Sequence, residues 1–168
     1  MTQLKELHKE SIPKAVERAK HYRLLNDPWQ AESICRDILQ VDPDNEDAIL
    51  ILILALTDQF GTNTHKTAST KESYELAKRL KTQYKQLYYR GLIEEHLGKA
   101  ALLRDTPRVK YIAYEFYRNA MDWYTDAAEF HPEDNEESIL RWNACVRAIR
   151  DFKLESAPNV IHEHPLLE

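Results

Sequence analysis

From Ala48 to Leu56 the chain carries no polar side chain, and on both sides of that run the pattern becomes amphipathic. Apolar or small residues recur three and four apart at Ala15, Val16, Ala19 and Tyr22, then at Ala31, Ile34, Cys35, Ile38 and Leu39. That period is the buried stripe of an α-helix. Ser11-Ile12-Pro13 reads as one helix start. Asp27-Pro28 reads as a second, in which Asp27 caps, Pro28 loses nothing at the first turn and Gln30 can reach back to the cap. A proline cannot continue the hydrogen-bond ladder, so "VDPDN" ends that helix and closes a helical hairpin.

The theme repeats along the chain. The pattern predicts a helix from about Asn45 to Phe60, a polar break "GTNTHKTAST", and a helix from about Thr70 with Ser69 and Glu72 spaced as a capping box. A fifth helix carries Tyr84 through Leu103. Thr106-Pro107 opens a long aromatic sixth, which "HPEDN" closes. A seventh, about Glu136 to Phe152, places Ile139, Trp142, Cys145, Val146 and Ile149 on one stripe, with Arg141, Arg147, Arg150 and Asp151 on the other side. Periodicity is lost after residue 152, which predicts an extended or mobile tail.

Composition narrows the class. With 168 residues, 43% of them hydrophobic and 30% charged, the chain suits one core and one domain, and three Gly beside seven Pro is poor material for β-turns. An all-α fold follows. The apolar run falls far short of the roughly 20 residues a membrane span needs, and "MTQLKELHKESIPK" has no apolar core for a secretory signal, so the expectation is a cytoplasmic protein without a membrane partner. Cys35 and Cys145 stand singly within helical patterns and read as small buried hydrophobes. The net charge of -5 conceals a basic middle, about residues 66 to 110, between acidic flanks. Such asymmetry either attracts an anionic partner or lets neighbouring helices satisfy one another.

Two segments, "WQAESICRDILQVDPDN" and "YRNAMDWYTDAAEFHPEDN", share a spacing carried by Ala31, Cys35, Ile38 and Pro43 in the first and by Ala120, Tyr124, Ala127 and Pro132 in the second. This spacing resembles the second helix and terminal proline of a tetratricopeptide repeat (TPR), and Ala19 and Tyr22 fall where that family places a small residue and a tyrosine in the first helix. The resemblance implies a right-handed α-solenoid of about three irregular hairpins: repeat 1 over about 12–43, repeat 2 over about 45–83 and repeat 3 over about 84–132. A C-terminal capping helix over 134–152 and a flexible tail over 153–168 complete it. Each hairpin is too small to bury its own faces, so hairpins stack, and small residues such as Ala19 and Ala31 let the helices approach.

In that register Ala48, Ile49, Leu52, Ile53 and Leu56 face neighbouring helices, leaving Leu50, Ile51 and Leu54 on the concave side. An apolar concave wall is either a groove for a partner's side chains or a surface filled from within, and the tail offers Val160, Ile161, Leu166 and Leu167 for the second role. The expected function is a non-catalytic protein-interaction module, an adaptor or scaffold. Lys20, Arg23, Leu50, Ile51, Leu54 and Tyr88 form its expected groove, and another protein's peptide or helix is the partner. A homodimer competes for the same surface. Asp in place of Leu50 or Leu54 is expected to abolish capture without unfolding the chain.

TPR domains that hold the C-terminal carboxylate of heat-shock chaperones use Lys and Asn in repeat one and Asn in repeat two; those positions here read Val16, Lys20 and Ile51, so the clamp is absent. Size, the sequence pI of about 5.8 and the three-repeat plan are similar to the small TPR chaperones that hold translocators before type III export, which makes a chaperone role one alternative. Nucleic-acid binding is another. Residues 71–90 interleave Lys71, Lys78, Arg79, Lys81, Lys85 and Arg90 with tyrosines, as single-strand binders do, although the acidic total and the helical spacing of those tyrosines oppose it. Enzyme readings find no Gly-rich phosphate loop and no nucleophile beside a base. No cofactor or metal is expected: His162 and His164 with Glu163 read as solvated tail residues, and His96 as a core histidine.

Overall fold

The computed structural model describes residues 2–62 and 70–158. Among them the chain is all-helical, with no strand. A single 3-10 turn, Lys9–Ser11, leads into α1 (Ile12–Leu24), followed by α2 (Pro28–Val41), α3 (Glu46–Asp58), α4 (Thr70–Lys78), α5 (Gln83–Leu102), α6 (Val109–Ala128) and α7 (Glu137–Asp151). No helix among the described residues is long and apolar enough to cross a membrane.

The helix starts are set by local chemistry. Asp27 accepts the backbone N–H of Gln30 at 3.3 Å ahead of Pro28, and Asn45 accepts that of Ala48 at 3.0 Å ahead of Glu46 and Asp47. Thr82 caps α5 through the N–H of Lys85. Asn26 and Asp134 take positive φ in the α1–α2 and α6–α7 turns, a conformation that short polar residues tolerate. The capping box expected from Ser69 starts on a residue outside the described ones.

Each helix packs against the next along the chain, and α1 also meets α3 while α3 meets α5. Buried side chains fall into two clusters. The first gathers α1 to α4, with Ile93 and Ala100 of α5, around Ile38, Leu52, Ile53 and Leu80; the second gathers α5 to α7 around Tyr117, Tyr124 and Cys145. Leu54 of α3 packs against the second cluster and Tyr89 of α5 against both, which joins them.

α3 answers the question its sequence poses. Ala48, Ile49, Leu52, Ile53 and Leu56 are buried, as their stripe predicts, and so are Ile51, Ala55 and Thr57, because α2, α4, α5 and α1 all lie against this helix. A polar strap ties the same layer together. Arg36 of α2 donates to Glu72 of α4 at 2.8 and 3.0 Å and to Glu32 at 2.8 Å, and the buried Glu32 in turn accepts from Gln59 Nε2 at 2.8 Å. The buried Glu32 therefore has a charged and an amide partner, as burial demands, while Glu72 meets Arg36 nearer the surface.

α5 and α6 approach closely at two glycines. Gly98 lies opposite the Tyr117 ring and Gly91 opposite the Tyr124 ring, so the two glycines, seven apart, accept two tyrosines seven apart on an antiparallel helix. α6 buries Ala113, Tyr117, Ala120, Tyr124 and Ala127, alternating small and large on one seam.

α7 departs from its predicted stripe. Cys145 is buried and Val146 and Ile149 pack on the core, but Ile139 is 44% and Trp142 36% exposed. Arg141, expected outside, turns inward. α7 lies against α6, so its inner face is narrower than a fully apolar stripe and includes a partnered cation.

Candidate functional site

Five of the six residues expected to form the groove come together. α1 contributes Lys20, Arg23 and Leu24, and α3 contributes Asp47, Leu50, Ile51 and Leu54, around an open cavity of about 300 Å³. Helical spacing explains the convergence: residues 20 and 23/24 share a face of α1, and 47, 50/51 and 54 share a face of α3. The wall is mostly aliphatic, with the charges at the rim.

The degree of burial differs among these residues. Leu24 is 84% exposed, Leu50 and Leu54 are half-buried, and Ile51 is 5% exposed at the floor. Leu50 and Leu54 also pack against the two core clusters. Aspartate at either would disturb packing as well as the cavity, so the expectation that they are free of structural duty is corrected. Leu24 has no such duty.

Rim charges are partly committed. Arg23 Nε donates to Asp58 Oδ2 at 2.6 Å and Nη2 to Oδ1 at 3.4 Å, a forked pair that fixes the guanidinium. Lys20 is exposed and pairs with Glu17 at 3.0 Å, a hydrogen bond that raises its pKa; Asp47 across the cavity acts in the same direction. An i,i+3 surface pair of this kind is worth little and exchanges readily for another carboxylate. Lys20 is thus the available cation and Arg23 the fixed one.

Tyr88, the sixth residue, is not in the groove. It is 7% exposed, stacks on Tyr84 with ring centroids 5.7 Å apart and tilts against Tyr124 at 5.7 Å. Its neighbour Tyr89 is the aromatic near the α1–α3 side. Burial pushes the Tyr89 hydroxyl up to about 12, and the Arg23 charge opposes that shift. Only a side-chain direction, one position along α5, separates the two, and a sequence stripe does not resolve it.

The basic segment is largely paired. Lys85 Nζ meets Glu46 at 2.9 Å, while the Lys81 backbone N–H donates to the other Glu46 oxygen, also at 2.9 Å. Burial alone would raise the Glu46 pKa, but Lys85 and Lys81 together hold it low. Arg79 bonds the Pro43 carbonyl and lies 3.9 Å from Asp44, Lys78 pairs with Glu75 at 2.7 Å, and the Arg90 guanidinium sits 5.1 Å above the Trp123 ring. Its tyrosines are occupied too: Tyr84 and Tyr88 are buried, and Tyr74 donates to Glu94 at 2.5 Å. The segment answers the acidic α2–α3 turn and presents no row of free aromatic faces, which is what stacking on bases requires.

One buried group had no place in the sequence reading. Glu95 of α5, 3% exposed, accepts from Tyr124 Oη at 2.9 Å, Lys99 Nζ at 2.7 Å and Arg141 Nη1 at 3.2 Å. Burial alone would raise its pKa, but Lys99, Arg141 and Tyr124 outweigh it and hold the carboxylate below its usual range. The available signal was position: Tyr88, Leu92, Glu95 and Lys99 fall on one helical stripe, so a carboxylate there must enter the core or break it.

Neither thiol is poised for chemistry. Burial pushes Cys35 and Cys145 up to about 12, so both stay protonated at neutral pH. No group of three His, Cys, Asp or Glu able to hold a metal occurs among the described residues. The tail residues Val160, Ile161, His162, Glu163, His164, Leu166 and Leu167 lie outside them.

The chain matches no protein-family model, no curated protein and no solved structure. The geometry of the groove and its neighbours therefore carries the functional argument alone.

Proposed function

We propose that this protein is a non-catalytic interaction module, a TPR-like α-solenoid whose α1–α3 groove takes an aliphatic side chain of a partner peptide or helix. The observation that carries this reading is the mostly aliphatic cavity of about 300 Å³ beside the 84%-exposed Leu24, with Lys20 at its rim. Helix-in-groove recognition needs this combination of an apolar slot and a polar margin that fixes register. The repeat plan is supported by burial at the motif positions: Ala19, Ala31, Cys35, Ile38, Ala120 and Ala127 are all 0% exposed and Tyr124 1%, while contacts run from each helix to the next and from α1 to α3 to α5. Lys20 suits a partner carboxylate beside the aliphatic anchor.

A random peptide library displayed on phage and selected against the full chain tests the proposal. Enriched peptides should share a Leu-, Ile- or Met-sized residue with an Asp or Glu nearby. Their synthetic forms should bind at least tenfold more weakly to Leu24→Asp, and more weakly to Lys20→Glu, with both variants melting as the parent does. Enriched peptides that bind all three proteins equally contradict the groove, as does a selection that enriches nothing.

A further inference from the structure

A second surface lies at the far end of the helix array. Ile139 and Trp142 of α7 line a cleft of about 320 Å³ against Thr125 and Ala128 of α6, and Leu140 is 64% exposed beside them. Phe130, in the turn, is 45% exposed. A cleft of this size is at the small end of ligand sites, large enough for one or two side chains. An adjoining cavity, which Leu140 lines, carries Asp134, Glu136 and Glu137 with His131. Asp126, Glu129, Glu133, Asp134 and Glu136 are exposed, and none is in an ion pair among the described residues. Between Arg118 and Arg141 the sequence holds no Lys or Arg at all. Arg118 lies by Asp122, and Arg141 is turned inward onto Glu95. No Lys or Arg among the described residues is thus paired with these carboxylates, whereas Lys85 and Arg79 of the basic segment meet Glu46 and Asp44 by the α2–α3 turn.

Exposed apolar side chains on a stretch of chain that carries uncompensated carboxylates, some of them lining a cavity with Leu140, fit one kind of occupant. We propose that the α6–α7 end docks a cationic amphipathic helix of another protein, with a bulky aliphatic side chain in the Ile139–Trp142 cleft and flanking Lys or Arg over the acidic rim. The apolar contact supplies affinity, and the rim selects partner charge and speeds encounter. This surface is separate from the α1–α3 groove and takes a partner of opposite charge.

The experiment uses three labelled 18-residue peptides and the full chain, read by fluorescence anisotropy. One peptide is a Leu/Lys helix with leucines on one face, one replaces Lys by Glu, and one replaces Leu by Ser. The Leu/Lys helix is expected to bind. The other two are expected to bind at least tenfold more weakly. Ile139→Asp with Leu140→Asp, both exposed positions, should weaken the Leu/Lys helix at least tenfold, and Glu129→Lys with Glu133→Lys and Glu136→Lys should do the same with an unchanged melt. Equal binding by the Ser peptide, or by the apolar variant, overturns the proposal in favour of unspecific charge attraction. A wild-type dimer in light scattering that Ile139→Asp with Leu140→Asp dissociates also overturns it, because the face then belongs to a second copy.

Discussion

Arg141 of α7 reaches Glu95 of α5, Nη1 to Oε1 at 3.2 Å, and places a cation on the inward face of the last helix. Arg141 itself is 36% exposed at its side chain while Glu95 is 4%, so the pair runs from the surface into the core. α7 is therefore held by a polar bridge as well as by Cys145, Val146 and Ile149. Removing one partner of such a pair leaves the other unsatisfied, and this sets the sign of the first prediction.

Arg141→Leu should cost about 1.5–3 kcal/mol, because Lys99 and Tyr124 still hold Glu95. Glu95→Ala should cost more, about 3–5 kcal/mol, since it strands the Tyr124 hydroxyl and Arg141 together. Thermal melts resolve both, at about 2–4 °C per kcal/mol for a chain of this size. Equal melts for Glu95→Ala and the parent would remove the bridge from the account.

Acid should destabilise the fold in two stages. His96, whose Nδ1 lies 3.2 Å from the Thr57 carbonyl and donates to it when neutral, has its pKa lowered to about 4 by burial, with Lys99 acting in the same direction. The unfolded chain binds this proton near the ordinary value of 6.5. Stability is then full above about 6.5 and falls as pH drops towards 4, by at most about 1.4 kcal/mol per pH unit. Glu95, held low, adds its own loss at lower pH. Urea midpoints from pH 7 to 4 should show the His96 slope, and His96→Gln should flatten it.

Close packing of α5 on α6 predicts unequal glycine substitutions. A Cβ at Gly91 would stand 2.7 Å from the Tyr124 ring and 3.2 Å from the Ala120 carbonyl, and Tyr124 cannot retreat because Glu95 holds its hydroxyl. Gly91→Ala should lose about 1–3 kcal/mol despite alanine's better helix propensity. At Gly98 the Cβ would meet the Tyr117 ring at 3.0 Å, a milder conflict. Gly98→Ala should therefore melt above Gly91→Ala.

Floor and rim of the groove separate in stability. Leu24→Asp should stay within about 0.5 kcal/mol of the parent, as exposed positions do. Ile51→Ala, at the buried floor, should cost about 2–5 kcal/mol. A destabilised Leu24→Asp would make that side chain part of the core.

Much of this fold is legible in the sequence, for reasons that can be named. Asp27-Pro28, Asn45 and the prolines after α2 and α6 act within a few residues, so every helix in the described residues lies within a few residues of its expected span. α3 is readable because its stripe is unbroken. Lys20, Arg23, Leu50, Ile51 and Leu54, expected together from the register that the TPR resemblance implies, line one cavity. Long-range polar pairing was not readable. Arg23 on Asp58, Lys85 on Glu46 and Arg141 on Glu95 join residues 35, 39 and 46 positions apart, and no local pattern selects one partner over another. The same gap left open whether the charges of residues 71–90 attract an anionic partner or satisfy neighbouring helices, as Lys85 on Glu46 and Arg79 by Asp44 do.

The groove itself is tested most directly by methyl NMR of the isotopically labelled full chain, titrated with a peptide enriched in the phage selection. The account predicts the largest shifts at the methyls of Leu24, Leu50, Ile51 and Leu54, with none at Ile139 or Leu140. Shifts centred on the methyls of α6–α7 or on those of Leu76, Leu80 and Leu87 in the basic segment, with the Leu24 and Ile51 methyls unmoved, would contradict it.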